Sequence, residues 1–288
     1  MFCLMTAFRA SAYRGQAPAK EEVSIGSFTT ANRCFVDPLS NIYVIDAGTG
    51  ELSKYSKSGK LLCKIGGFGW TTSTFDQPAD LCCPNGLDVY VADLGNHRIQ
   101  RFDRNLSFVS SLSLRDNADP DQRFGYPRGV AMDRFGALYI VDGENIRVLK
   151  IDASNNVERV FGGEEAGKGR LRFPSRIRVS GDDLVYVQDG NSIIVFDIFG
   201  NYVRTTGDGL FRSLRAFSVD MNRLNVLDSC AVRTIDSKGR ILGGYELSHY
   251  DSTGQCDFKD IATQGRQLFL LTAKNVVVCD LPESSEEN

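Results

Sequence analysis

The chain has 288 residues, 42% of them hydrophobic and 24% charged, a composition that argues against disorder, a collagen-like sequence or a membrane-embedded bundle. With 33 Lys and Arg against 36 Asp and Glu the net charge is −3, so a uniformly basic nucleic-acid binder is excluded while a local basic patch is not. Eight cysteines without a CxxC pair argue against a zinc ribbon, a thioredoxin-type motif and a heavily stapled fold.

Met1 to Ala12 contains a short apolar stretch and a small-residue site at Ala10-Ser11-Ala12, but no basic residue precedes the apolar part. Residues 1–19 read as a disordered leader or a signal-peptide remnant. The first reading implies a cytoplasmic protein, the second an exported one.

From residue 20 onward one phrase recurs. It reads Ile42-Tyr43-Val44-Ile45-Asp46, Val89-Tyr90-Val91-Ala92-Asp93, Leu138-Tyr139-Ile140-Val141-Asp142 and Val185-Tyr186-Val187-Gln188-Asp189. Weaker copies end at Asp228 and Thr272, and the copies are spaced by 39 to 49 residues. Each is flanked by other short apolar runs and by turns such as Arg134-Phe135-Gly136 and Leu94-Gly95-Asn96-His97. Four short strands per unit, rich in β-branched and aromatic residues, predict an antiparallel meander. Tyr139-Ile140-Val141 has no polar alternate, so both faces of such a sheet must be covered by neighbouring sheets. Six units of this length predict an all-β fold, a six-bladed β-propeller spanning residues 20–281 and followed by an acidic tail at 282–288.

The sixth unit lacks an outer strand. Val23-Ser24-Ile25-Gly26-Ser27-Phe28 aligns with Cys63-Lys64-Ile65-Gly66-Gly67-Phe68, so the N-terminal segment is expected to supply that strand and remove an exposed sheet edge.

Leu94-Gly95-Asn96-His97-Arg98-Ile99-Gln100-Arg101-Phe102-Asp103, after Tyr90-Val91-Ala92-Asp93, resembles the signature of NHL repeats, and Pro127-Arg128-Gly129-Val130-Ala131-Met132-Asp133 resembles the repeat's opening. The resemblance is sharp in the second and third units and eroded in the fifth and sixth. It implies a six-bladed propeller. The family shares no single activity, so function must be argued from the site.

The phrase-ending aspartates Asp46, Asp93, Asp142, Asp189 and Asp228 are expected to fix turns by accepting backbone N–H bonds rather than to act as a catalytic ring. Only His97 and His249 exist, a poor basis for zinc, and His97 is expected to be structural. No catalytic residue, metal ligand or cofactor is assigned. A calcium ion held by carbonyls and carboxylates in the central channel needs no histidine, so that option stays open. GxSxG, GxxxxGK[ST], HExxH and EF-hand patterns are absent.

These features favour a non-catalytic binding scaffold that meets a partner through the long loops joining the outer strand of one unit to the inner strand of the next. The candidate contacts are Trp70, Phe75, Arg123, Tyr126, Lys168, Arg170, Arg172, Arg212 and Arg215. A protein partner is expected, with Trp70 as an anchor. RNA bound on a basic, aromatic-bearing patch is an alternative, as is a propeller lyase or esterase with its site at the channel mouth. DNA binding and membrane insertion are not expected. Arg176 and Arg178 have a second reading, as inner-strand residues paired with aspartates.

Overall fold

The computed structural model describes residues 21–220, 222–247 and 257–280. It contains six four-stranded antiparallel sheets. The inner strands are Ala31–Val36, Pro78–Cys82, Gly129–Met132, Pro174–Val179, Leu214–Asp220 and Asp260–Gln264, one for each of blades 1 to 6. The second strand of each blade carries the recurring phrase, and its apolar residues are buried throughout, as in Ile42–Asp46 and Leu138–Asp142.

Alternate side chains of a strand leave opposite faces of the sheet. In Leu138–Asp142, Tyr139 and Val141 therefore pack with Ile177, Val185 and Val187 of blade 4, while Ile140 packs with Tyr90 and Ala92 of blade 2. Six such apolar clusters occur among the described residues, one between each pair of consecutive blades. Apolar burial of this kind contributes roughly 25 cal/mol per Å², and no single blade can realise it alone. The propeller is held together by interfaces rather than by one central core.

The ring closes as the alignment predicts. Glu21–Ile25 pairs antiparallel with Val276–Asp280 and becomes the outer strand of blade 6. Ile25 and Phe28 then join Ala31, Cys34 and Tyr55 of blade 1 and Phe269 and Val276 of blade 6 in one cluster.

Cys34 and Cys83 are buried free thiols, as their apolar settings suggest, and Cys63 is half-buried. Cys230 is disulfide-bonded, which its sequence context did not reveal. The leader, the acidic tail and His249 lie outside the described residues. No helix among the described residues is long and apolar enough to cross a membrane.

Candidate functional site

Each phrase-ending aspartate does more than shape its own turn. Asp46 accepts from the amides of Thr29 and Thr30 at 2.6 and 2.8 Å as well as from Gly48 in its turn. Asp93 accepts from Asp76 N at 2.7 Å, Asp142 from Gly125 N, Asp189 from Arg172 N and Phe173 N, and Asp228 from Ser213 N. Apart from that of Gly48, these amides belong to the loop that enters the same blade. The carboxylates thus tie the long loops to the turns after the second strands and gather both on one face. Burial pushes the Asp93 carboxyl pKa up, against the opposing pull of Asn96, the Asp76 amide and Arg98.

Five residues after the aspartate a guanidinium completes the clamp in blades 2 and 3. Arg98 donates to Asp93 at 2.8 Å and to the carbonyls of Trp70, Thr71 and Thr74, holding loop 67–77. Arg147 donates to Asp142 and to the carbonyls of Asp121 and Arg123, holding loop 113–128. Gly95 lies so close to Asp76 that any Cβ would collide with its carboxylate and backbone, which explains the glycine in this turn. His97 is structural, as expected. Its Nδ1 accepts from Tyr126 N at 3.1 Å, and the two rings meet edge to face with centroids 4.1 Å apart.

On this scaffold the loops of four successive blade junctions each expose an apolar group: Phe68 and Trp70, then Tyr126, Phe173 and Leu210. Trp70 is 81% exposed and Phe173 71%. Phe75 is a correction to the sequence reading. It is 1% exposed, bridges to Phe68 through the backbone, and packs edge to face on Phe102 inside the interface of blades 1 and 2. Arg215 is a second correction, because it stands half-buried in an inner strand rather than on a loop.

Lys168, Arg172 and Arg212 are exposed on the loop face. Arg170 is exposed but pairs with Glu164 at 3.2 Å, and Arg123 donates to the Asn117 carbonyl of its own loop at 2.6 Å. Loops 67–77, 113–128, 162–173 and 207–213 together hold seven basic and seven acidic residues. The face is charge-balanced, which suits a protein surface better than a phosphate backbone.

The opposite face also carries exposed apolar groups, Leu39, Leu87 and Phe135, in the turns after the inner strands. An axial cavity of about 350 Å³ lies on the same side, and its lining includes Phe35, Cys82, Ala131, Arg178, Val219 and Thr263, one residue from each inner strand.

Above that cavity the axis is closed by charge. Arg178 of blade 4 donates to both carboxylate oxygens of Asp80 of blade 2 at 2.8 and 3.0 Å, and Arg176 donates to Asp260 of blade 6. Burial opposes the charge on Arg178, but Asp80 outweighs it and raises the pKa. Asp260 also accepts from Cys34 N of blade 1, and Asp80 from Val130 N of blade 3. Arg176 and Arg178 therefore do pair with aspartates, across the axis rather than beside them. Arg33, Asp80 and Asp260 were not singled out in the sequence. Their one available signal is that they occupy matching inner-strand positions, each opposite the residue before the last of its phrase. Among the described residues no three His, Cys, Asp or Glu side chains gather as metal ligands.

Residues 75–102 match the family model of the NHL repeat. The chain is a six-bladed propeller carrying an NHL repeat. The matched segment contains Asp93, Gly95, His97 and Arg98, the residues that build the loop clamp of blade 2. The chain is 26% identical over 205 residues to a probable peptidyl-alpha-hydroxyglycine alpha-amidating lyase of Caenorhabditis elegans, covering 70% of this chain and 57% of that protein. It is 27% identical over 142 residues to Protein brain tumor of Drosophila melanogaster, covering 35% of this chain and 14% of the relative. With NHL repeat-containing protein 2 of Gallus gallus the identity is 38% over 80 residues, covering 27% of this chain and 10% of the relative. The chain thus spans little more than half of the first of these relatives and far less of the others. Among solved structures, a streptogramin B lyase superposes with a TM-score of 0.63 at 11% identity, covering 90% of this chain and 97% of that one. At that identity the likeness establishes the fold.

Proposed function

We propose that this NHL propeller is a non-catalytic scaffold that binds another macromolecule, a protein, through its loop face. The observation that carries the reading is the alignment of exposed Phe68, Trp70, Tyr126 and Phe173 on rigidly clamped loops of consecutive blade junctions, amid balanced charge. Exposed aromatic groups on preorganised loops supply contact area at low entropic cost, and such residues dominate interface energetics. The partial similarities to Protein brain tumor and NHL repeat-containing protein 2 are to proteins whose names state no catalytic activity. Capture of a protein partner by the full chain, abolished in the double variant Trp70→Ala, Phe173→Ala, tests it. Capture undiminished by that variant refutes the assignment to this face.

A second reading rests on the similarity to the amidating lyase, which extends over 70% of this chain. It places a lyase site at the channel mouth. Assay of peptidyl-alpha-hydroxyglycine cleavage, alongside metal analysis of the purified protein, separates it from the first reading. Turnover that survives loss of the loop aromatics favours the lyase.

A further inference from the structure

The inner strands place one residue per blade at each height along the axis. At the loop-face end stand Asn32, Ala79, Arg128, Ser175, Arg215 and Lys259, in four blades as the extra residue of a strand bulge. One step deeper the strand pairing places Arg33, Asp80, Gly129, Arg176, Ala216 and Asp260. Arg178 lies two residues further in.

The deeper layer does not balance. Three guanidiniums, of Arg33, Arg176 and Arg178, share two carboxylates. Asp80 is taken by Arg178 and Asp260 by Arg176. Arg33 is left with the carbonyl of Asn32, to which its Nη1 donates at 2.8 Å. Its Nε has no partner, nor does Nη2 of Arg176, whose side chain is 2% exposed, nor Nε of Arg215 at the mouth. All three nitrogens are buried, although the Arg33 and Arg215 side chains that carry two of them belong to half-buried residues. A buried guanidinium with idle donors is costly unless an anion completes it, and its planar fork matches a carboxylate. The strain on the charge is visible at Arg33, where burial and then the neighbouring Arg176 lower the pKa. The charge runs opposite to what a calcium ion at this height needs.

We propose that Arg33, Arg176 and Arg215 form a carboxylate-binding site at the loop-face mouth of the channel, which receives an acidic group presented by the docked partner. Half-buried Asn32, Ala79, Ser175 and Arg215 stand over it, so an entering carboxylate has to displace their side chains. The inference rests on the loop face being the docking face. It adds that the partner offers a free carboxylate, from an acidic side chain or a chain end, near the centre of the aromatic arc.

The test titrates the full chain with acetyl-glycyl-glycine, with its amide, with sodium acetate and with sodium phosphate, at constant ionic strength. Unfolding midpoint and calorimetric affinity are followed, since a ligand that binds only the folded state raises the midpoint saturably. The free-acid peptide and acetate are expected to raise it and the amide is not. A larger response to the peptide than to acetate identifies a chain-end or peptide source, and equal responses identify a free small carboxylate. In Arg33→Gln the carboxylate affinity is expected to fall at least tenfold, while the ligand-free midpoint stays level or rises because a half-buried charge without a carboxylate of its own has gone. Arg215→Gln, at the half-exposed mouth, provides a second variant if Arg33→Gln expresses poorly. Equal response to acid and amide, a response to phosphate alone, or a ligand-free midpoint that drops in Arg33→Gln would overturn the proposal. Loss of partner capture in Trp70→Ala, Phe173→Ala with carboxylate affinity unchanged in Arg33→Gln would sink this site alone and leave the loop-face reading standing.

Discussion

Arg178 and Asp80, 98 residues apart in sequence, form a bidentate ion pair across the propeller axis, with distances of 2.8 and 3.0 Å. The pair joins blade 4 to blade 2, and the amide of Val130 draws in blade 3. Arg176 joins blade 4 to blade 6 through Asp260, which also takes the amide of Cys34 in blade 1, and Arg176 Nη1 lies 3.4 Å from the Phe217 carbonyl of blade 5. Two carboxylates and the Arg176 guanidinium thus connect all six blades at the axis.

Breaking such a pair from one side leaves a buried charge without a partner. Asp80→Ala is expected to lose about 3–5 kcal/mol of stability, whereas Asp80→Leu combined with Arg178→Met recovers most of that loss. Denaturant midpoints at constant m-value check both. Equal instability of the single and double variants would mean that the pair does not act as a unit.

Phe75 and Trp70 lie five positions apart and are expected to behave oppositely. Phe75→Ala opens a cavity beside Phe102 and costs about 3–5 kcal/mol. Trp70→Ala removes an exposed ring and is expected to shift stability by no more than about 0.5 kcal/mol while weakening partner capture. Thermal unfolding of the two variants provides the comparison.

His97 predicts a pH dependence confined to one loop. Burial, and after it Arg115, lowers its pKa below the ordinary 6.5. The unfolded chain therefore takes up the proton more readily than the folded one. The stabilisation is fully present above the unfolded value and is lost as pH falls through the folded pKa. Protonation of Nδ1 also removes the acceptor for Tyr126 N. Hydrogen exchange at the Tyr126 amide, corrected for its intrinsic rate, is expected to quicken between pH 7 and roughly pH 5, and His97→Leu removes that step.

Ring closure predicts that Ile25→Ala costs about 2–5 kcal/mol although it lies in a terminal strand, because Ile25 is 1% exposed between blades 6 and 1. Deleting residues 21–29 removes the strand that covers Val276–Asp280 and is expected to produce aggregation. A stable monomer after that deletion would show that the closing strand is dispensable.

Much of the architecture was legible because a repeat multiplies weak local signals. Tyr139-Ile140-Val141 announces a sheet covered on both faces, and the likeness of Val23–Phe28 to Cys63–Phe68 announces the closing strand. The aspartates were readable as turn formers from Asp-Leu-Gly-Asn and its kin. Their second role, gripping the entering loop, joins residues 15 to 17 apart with the inner strand and its turn between them, a contact that no local pattern encodes. The candidate site was less legible for a related reason. Trp70 and Phe75 share one loop, and only the packing of Phe102 decides which ring is buried. Arg215 follows Arg212 by three residues, but it falls in the inner-strand bulge and is half-buried there. Arg33, Asp80 and Asp260 belong to three blades, and their relation to Arg176 and Arg178 exists only once the ring is closed.

Partner capture from the two faces tests the central claim most directly. The full chain, the loop-face variant Trp70→Ala, Phe173→Ala and the opposite-face variant Leu39→Ser, Phe135→Ser are compared for a protein partner identified with the unmodified chain, with folding of each verified by thermal unfolding. The account predicts that capture is lost in the loop-face variant and retained in the opposite-face variant. Retention in the first and loss in the second would place recognition on the face around the axial cavity and contradict it.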